Sequence, residues 1–187
     1  MSVEIVTLRV EPLTPEAFAP YGTVLGTRPE VELRVDLPEF EVDAWIHGTL
    51  DMTGGLVELQ VFTMTIRQME FSFLERHQLE TQAFIPIGGV PTVFPVALAT
   101  DGDGPEHCPE PDTVRAFLLD GNQGVQLHKG TWHWIPFPVG RPGSYLNMTR
   151  AGKFSDVVEG SGKGASQGDF QRRDLAELRG VRFRFEL

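Results

Sequence analysis

Apolar and polar residues alternate along most of this chain with the two-residue period of half-buried strands. Residues 3–10 alternate and predict an opening strand. The pattern changes in Leu13-Thr14-Pro15-Glu16-Ala17-Phe18. Thr14 suits an N-cap, Pro15 the first helical position, and Ala17 and Phe18 begin an apolar face. Pro20 and Gly22 end that helix within about two turns, and 21–25 return to extended chain. Alternation then predicts strands over 57–67, 71–77, 82–87 and 92–98, with Gly88-Gly89 as a turn. Further strands are predicted over 114–119, 124–127, 132–137 and 144–149. So many short, turn-punctuated strands behind one small helix indicate an all-β sandwich or barrel.

Two stretches fall outside this rhythm. Residues 101–112, DGDGPEHCPEPD, read as an acidic surface loop. Residues 159–170 begin with EGSGKGASQGD, a Gly/Ser-rich flexible segment. The expected organisation is therefore one domain over 1–158, that segment, and a C-terminal strand or tail over 171–187. In the tail Val181, Phe183 and Phe185 alternate with Arg182, Arg184 and Glu186, as in a strand that docks on the barrel or on a neighbouring subunit. The sequence has no internal repeat and no second domain.

Composition narrows the partners. A chain of 187 residues with 41% hydrophobic content and 13 Phe can bury a core without disulfides or metal staples. A formal net charge of −10 argues against a nucleic-acid backbone and against an anionic membrane surface. A small anionic substrate stays compatible, because a few converging cations define a pocket whatever the net charge. Cys108 is the single cysteine, so no internal disulfide forms. Its acidic neighbours raise a thiol pKa, which makes it a reduced cysteine of a cytosolic protein rather than a nucleophile activated by His107. No apolar run reaches membrane-spanning length and residues 1–12 lack a secretion signal, so cytoplasm is the expected location.

Candidate chemistry gathers in two segments. Glu75 and His77 lie two apart on a predicted strand, so they share a face while Arg76 points away; Gln82 follows five residues after His77. Far along the chain comes His128-Lys129-Gly130-Thr131-Trp132-His133. Burying Glu and His inside a barrel is costly unless they are paired, protonated or metal-bound. The bland alternative is an exposed Glu75–His77 hydrogen bond on a strand face. Two His and one carboxylate make an open site for a divalent ion, with Gln82 a weak fourth ligand; a metal and no metal are equally open. Arg67, Lys129 and Arg150 are the cations placed to hold a carboxylate, with Gln82 and His128 as further substrate contacts. Trp132 and Trp134 are expected to pack the barrel exterior or a subunit interface.

These residues resemble known ones. The spacing of Glu75, His77 and Gln82, followed by Gly89, is similar to the first cupin motif, and Gly130 with His133 to the second. The stretches Leu74-Glu75-Arg76-His77, Gln82-Ala83-Phe84-Ile85-Pro86, Arg115-Ala116-Phe117, Gly121 with Gln123-Gly124-Val125, and His128 with Gly130, Trp132 and His133 resemble the ureidoglycolate lyase family, as does Leu13 through Gly22. The resemblance implies a cupin-type double-stranded β-helix or jelly-roll barrel, a homodimer, and cleavage of ureidoglycolate to glyoxylate and urea in allantoin and purine catabolism. It further implies nickel in some members. The chain departs from the family around Val42 to Asp51, where His47 is kept and little else, and at Trp134, where a second His is common.

On this reading His133 or His77 is the base, Glu75 orients the imidazole, and Lys129 or Arg67 holds the substrate carboxylate. Two alternatives stand beside it: a cupin enzyme acting on another small hydroxy- or oxo-acid, and a non-catalytic cupin that binds a small molecule.

Overall fold

The computed structural model describes residues 3–28, 30–65, 68–104, 106–151, 166–167 and 169–187. Strand β1 (Glu4–Pro12) leads to helix α1 (Pro15–Phe18), whose Thr14 Oγ1 accepts from the Ala17 N–H at 3.2 Å. Then come β2 (Gly22–Leu25), the hairpin β3 (Leu33–Leu37) and β4 (Phe40–Ala44), and β5 (Val57–Met64). The middle of the chain supplies β6 (Glu70–Phe71), β7 (Phe73–His77), β8 (Ala83–Ile87), β9 (Thr92–Ala97) and β10 (Arg115–Leu119). It continues with β11 (Gly124–Leu127), β12 (Trp132–His133), β13 (Phe137–Pro138) and β14 (Gly143–Arg150). Strands β15 (Ser166–Gln167), β16 (Phe170–Asp174) and β17 (Val181–Glu186) follow, with helix α2 (Leu175–Leu178) before β17.

The result is an all-β, cupin-type fold. The larger sheet runs β15-β16-β7-β12-β9-β10-β1-β17-β6, with β13 also on β9; the smaller runs β2-β11-β8-β14-β5. Strand β9 explains why the larger sheet has two apolar faces. Its TVFPVA run is buried throughout, and successive side chains enter different cores. Val93 and Ala97 join Leu74, Trp132, Phe137, Phe183 and Phe185 in the outer core. Phe94 and Val96 join Phe84, Phe117, Val125 and Leu127 in the core between the sheets. Strand β17 pairs in parallel with β1, Glu4 opposite Val181, so the alternation of Val181, Phe183 and Phe185 packs onto this same barrel.

The candidate segments meet through this topology. Strand β12 lies between β7 and β9, with His133 opposite both Glu75 and Val96. The turn before it needs Gly130, whose φ of +79° favours glycine, and whose N–H donates to the His77 carbonyl at 2.7 Å. Strand β16 adds to the free edge of β7 with Arg172 opposite Glu75 and Phe170 opposite His77.

Three expectations are corrected. Cys108 is buried rather than on a surface loop, and burial, more than its acidic neighbours, pushes its thiol pKa up. Trp132 is fully buried: Arg76 and Arg173 lie over its ring at 4.6 Å and 5.7 Å, and its Nε1–H donates to Thr100 Oγ1. Trp134 follows the end of β12, where strict alternation stops, and stacks on Phe73 with ring centroids 5.6 Å apart. It therefore lies on the Glu75 side. Strand β5 alternates as read, with Glu58, Gln60, Phe62 and Met64 facing inward and Val57, Leu59 and Val61 exposed.

Candidate active site

A cavity of about 480 Å³ opens between the sheets. Strand β7 sends Glu75 and His77 into it, and Arg76 to the opposite face, as their spacing predicts. Gln82 and Phe84 enter from β8 and the residue before it; Asn147 and Thr149 enter from β14; Glu58, Gln60 and Phe62 enter from β5. His133 sits behind Glu75, its Nε2 3.9 Å from the carboxylate. Ligand atoms of Glu75, His77 and His133 all lie within 4.8 Å of one another.

Burial sets the electrostatics. Desolvation raises the Glu75 carboxyl pKa to about 7 against the opposing pull of Arg172. Desolvation lowers the His133 pKa to about 4, only partly offset by its backbone hydrogen bond. His133 Nδ1 lies 3.1 Å from the Thr131 carbonyl, so that nitrogen carries the proton and Nε2 keeps its lone pair. Phe94 stacks on the ring at 6.2 Å and Phe84 meets it edge-on at 5.7 Å. Three buried acceptors then have no hydrogen-bond partner among the described residues: His133 Nε2, Gln82 Oε1 and Asn147 Oδ1. Each costs roughly 1–3 kcal/mol in that state, which a donor-rich ligand removes.

The other expected contacts lie elsewhere. Lys129 is held on the surface by Asp51 at 2.6 Å and Thr53 at 2.7 Å. His128 is exposed, with Nε2 3.2 Å from the Ala19 carbonyl. Arg150 alternates with the inward-facing Thr149 and lies against Gly55, outside the cavity lining. His128 and Lys129 stand on the turn between β11 and β12, and Arg150 stands on the outward phase of β14. Arg67 lies outside the described residues.

Sequence reasoning passed over three residues beside the site. Arg172, on β16, approaches the Glu75 carboxylate at 3.6 Å and lies 5.3 Å from both the Trp134 and Phe170 rings. Glu80 is buried 3.2 Å from His77 Nδ1 and accepts from the Thr149 hydroxyl and the Arg150 N–H. Asp169 accepts from the Leu79 N–H and completes a buried trio with His77 and Glu80. The available signal was the alternation of Phe170, Gln171 and Arg172 in a chain short of pocket cations.

Known proteins resemble this chain over most of its length. The family model for ureidoglycolate lyase matches residues 5–164. A protein named ureidoglycolate lyase from Pseudomonas paraeruginosa is 34% identical over 156 residues, covering 82% of this chain and 89% of its own length. One of the same name from Rhodobacter capsulatus is 34% identical over 161 residues, covering 81% and 91%. Another from Brucella anthropi is 34% identical over 163 residues, covering 84% and 90%. The chain belongs to the ureidoglycolate lyase family. Every cavity residue from Glu58 to Thr149 falls inside the stretch that the ureidoglycolate lyase model matches, whereas Asp169 and Arg172 stand beyond it. No helix among the described residues is long and apolar enough to cross a membrane.

Proposed function

We propose that this protein is a lyase that splits ureidoglycolate into glyoxylate and urea. The observation that carries this reading is the convergence of Glu75, His77 and His133 with the unpartnered acceptors Gln82 Oε1 and Asn147 Oδ1 in one cavity. Ureidoglycolate presents a hydroxyl and ureido N–H groups, the donors those acceptors lack. Its carboxylate is drawn by Arg172, the cation paired with Glu75.

Elimination moves two protons. The carbinol hydroxyl gives its proton to a base as its oxygen becomes the glyoxylate carbonyl, and the C–N bond breaks. The departing urea nitrogen takes a proton from an acid. His77 serves as the base, because the Glu80 carboxylate at Nδ1 orients the ring and stabilises the imidazolium as it forms. Glu75, with its pKa near 7, holds a proton to give at neutral pH. His133, neutral, accepts from the substrate through Nε2.

The donor set also fits a divalent ion. Glu75, His77 and His133 would hold it, with Gln82 beside them, and the backbone bond at His133 Nδ1 is the outer contact such a ligand needs. Nickel is the ion the family resemblance implies, and when bound it supplies a Lewis acid at the carbinol and carboxylate oxygens. Metal analysis of the purified protein checks this.

The test is release of glyoxylate and urea from racemic ureidoglycolate. His77→Ala and His133→Ala each lower kcat by about 100-fold or more while the far-UV spectrum is unchanged. Undiminished turnover in both variants sinks the assignment. We also propose that the protein is a cytoplasmic homodimer. In β3–β4 Leu33, Val35, Leu37, Phe40 and Val42 are exposed on one hairpin face, and Leu59 and Val61 are exposed on β5. Apolar faces of this kind mark association surfaces. Leu59→Glu is expected to shift the mass seen by light scattering to that of one chain, with barrel stability changed by less than about 1 kcal/mol.

A further inference from the structure

Residues 78–82 connect β7 to β8 and so follow directly on His77. A connection of this kind ordinarily runs over the surface and takes water for its backbone groups. Here the protein itself supplies the partners. Asp169, buried in the turn before β16, accepts the Leu79 N–H with its side chain and the Gln78 N–H with its carbonyl, the latter at 3.2 Å. Glu80 accepts from the Thr149 hydroxyl at 2.9 Å and from the Arg150 N–H. The Thr81 N–H donates to the Asp51 carbonyl at 2.9 Å, and the Thr81 hydroxyl accepts from the Asp51 N–H at 2.8 Å.

This anchorage bears on the His77 ring. The Glu80 carboxylate stands 3.2 Å from Nδ1, so the backbone that carries Glu80 decides where that ring nitrogen finds its acceptor. Ligand atoms of Asp169, Glu80 and His77 all lie within 4.8 Å of one another. Two carboxylates buried so close together repel, so stability alone does not ask for an acid beside Glu80. Phe170, the next residue, lies opposite His77 on β16 with its ring 5.5 Å from the imidazole. One dipeptide therefore grips both the ring and the turn behind it.

We infer that Asp169 is a positioning residue for His77, acting through the 78–79 backbone and Glu80. This rests on the reading of His77 as the base, and it adds a residue beyond the stretch 5–164 that the family model matches. Once the Leu79 N–H loses its acceptor, the turn shifts and Nδ1 loses its fixed partner. The ring then exchanges between its two tautomers, and the nitrogen facing the cavity carries a lone pair for only part of the time. Asn147 and Arg172 stand on other strands, so the loss falls on kcat rather than on KM.

The test measures ureidoglycolate cleavage by the full chain and its variants. Asp169→Ala is expected to lower kcat by about tenfold or more, with KM changed by less than about twofold. Asp169→Asn keeps an oxygen for the Leu79 N–H and should stay within about threefold of the parent kcat. Asp169→Glu keeps the charge but displaces it by one methylene, and should fall below the Asn variant. An unchanged kcat in Asp169→Ala, a loss confined to KM, or an Asn variant as slow as the Ala variant overturns the inference. Should Asp169→Ala not fold, the other two decide: Glu as fast as Asn overturns it, and Glu about threefold slower supports it. Nitrogen–proton correlation spectra of the His77 ring, taken on chelator-treated protein, read the same point without turnover. A single tautomer protonated at Nδ1 is expected in the parent and in Asp169→Asn, and a mixture in Asp169→Ala. If the parent releases no glyoxylate, the lyase reading fails, and the spectra alone decide: a mixture in Asp169→Ala supports the positioning role, and an unaltered tautomer overturns it.

Discussion

The two faces of β7 bury charge to opposite ends. On the outer face Arg76 is fully buried and well supplied: its Nε donates to Gln171 Oε1 at 2.9 Å, and its other nitrogens donate to the Thr100 and Gly102 carbonyls. Arg173 beside it donates to the Asp103 and Gly104 carbonyls, both at 2.9 Å. Together they strap the acidic loop against Trp132. On the inner face, one residue away in each direction, Glu75 and His77 look into a cavity with unmatched acceptors. Buried polarity with partners belongs to the scaffold; buried polarity without them awaits a ligand.

That contrast predicts which substitutions cost stability and which cost turnover. Arg76→Met orphans carbonyls on the outer face, and should lower unfolding free energy by about 4 kcal/mol while kcat of the folded fraction is kept. Denaturant melts beside the glyoxylate assay check it; a loss of kcat with stability intact would erase the distinction between the faces. The pH response of His133 comes next. Its folded pKa of about 4 lies below the ordinary 6.5, so above 6.5 both states are neutral and nothing is lost. As pH falls from 6.5 to 4 the unfolded chain takes the proton first, and the folded state loses up to about 3 kcal/mol. His133→Phe should flatten that part of the stability–pH curve for the metal-free protein. The smallest effect is at Arg172, where Arg172→Ala should raise KM for ureidoglycolate by about thirtyfold with a smaller change in kcat, and Arg172→Lys should recover only part of it. An unchanged KM would place the substrate carboxylate elsewhere.

The inner face was largely legible from the sequence and its rim was not. Glu75, His77 and His133 were readable because a two-residue spacing fixes a shared face, and because motif spacing placed Gly130 and His133 on a neighbouring strand. Pairing of β16 with β7 spans about 95 residues, as between Arg76 and Gln171, and no local pattern encodes it. The pocket cation was therefore sought at Arg67, Lys129 and Arg150 instead of Arg172. Strand β5 was legible as a strand, but its buried face was not. Val57, Leu59 and Val61 look like core positions, yet the face they occupy is exposed, because Glu58 and Gln60 are required by the cavity. Burial phase follows function there, which periodicity alone does not report.

The parallel seam between β1 and β17 has a consequence for assembly. Residues 4–9 pair in parallel with residues 181–186, far along the chain, so this seam cannot form by zipping a hairpin. A chain still emerging from the ribosome holds β7 as an open edge until the segment carrying Phe170 and Arg172 arrives, and until then both its hydrogen bonds and the charge of Glu75 lack their counterpart. Substrate recognition and edge protection are thus completed in one step, late in synthesis, and a chain stopped before residue 170 should aggregate before it ever binds.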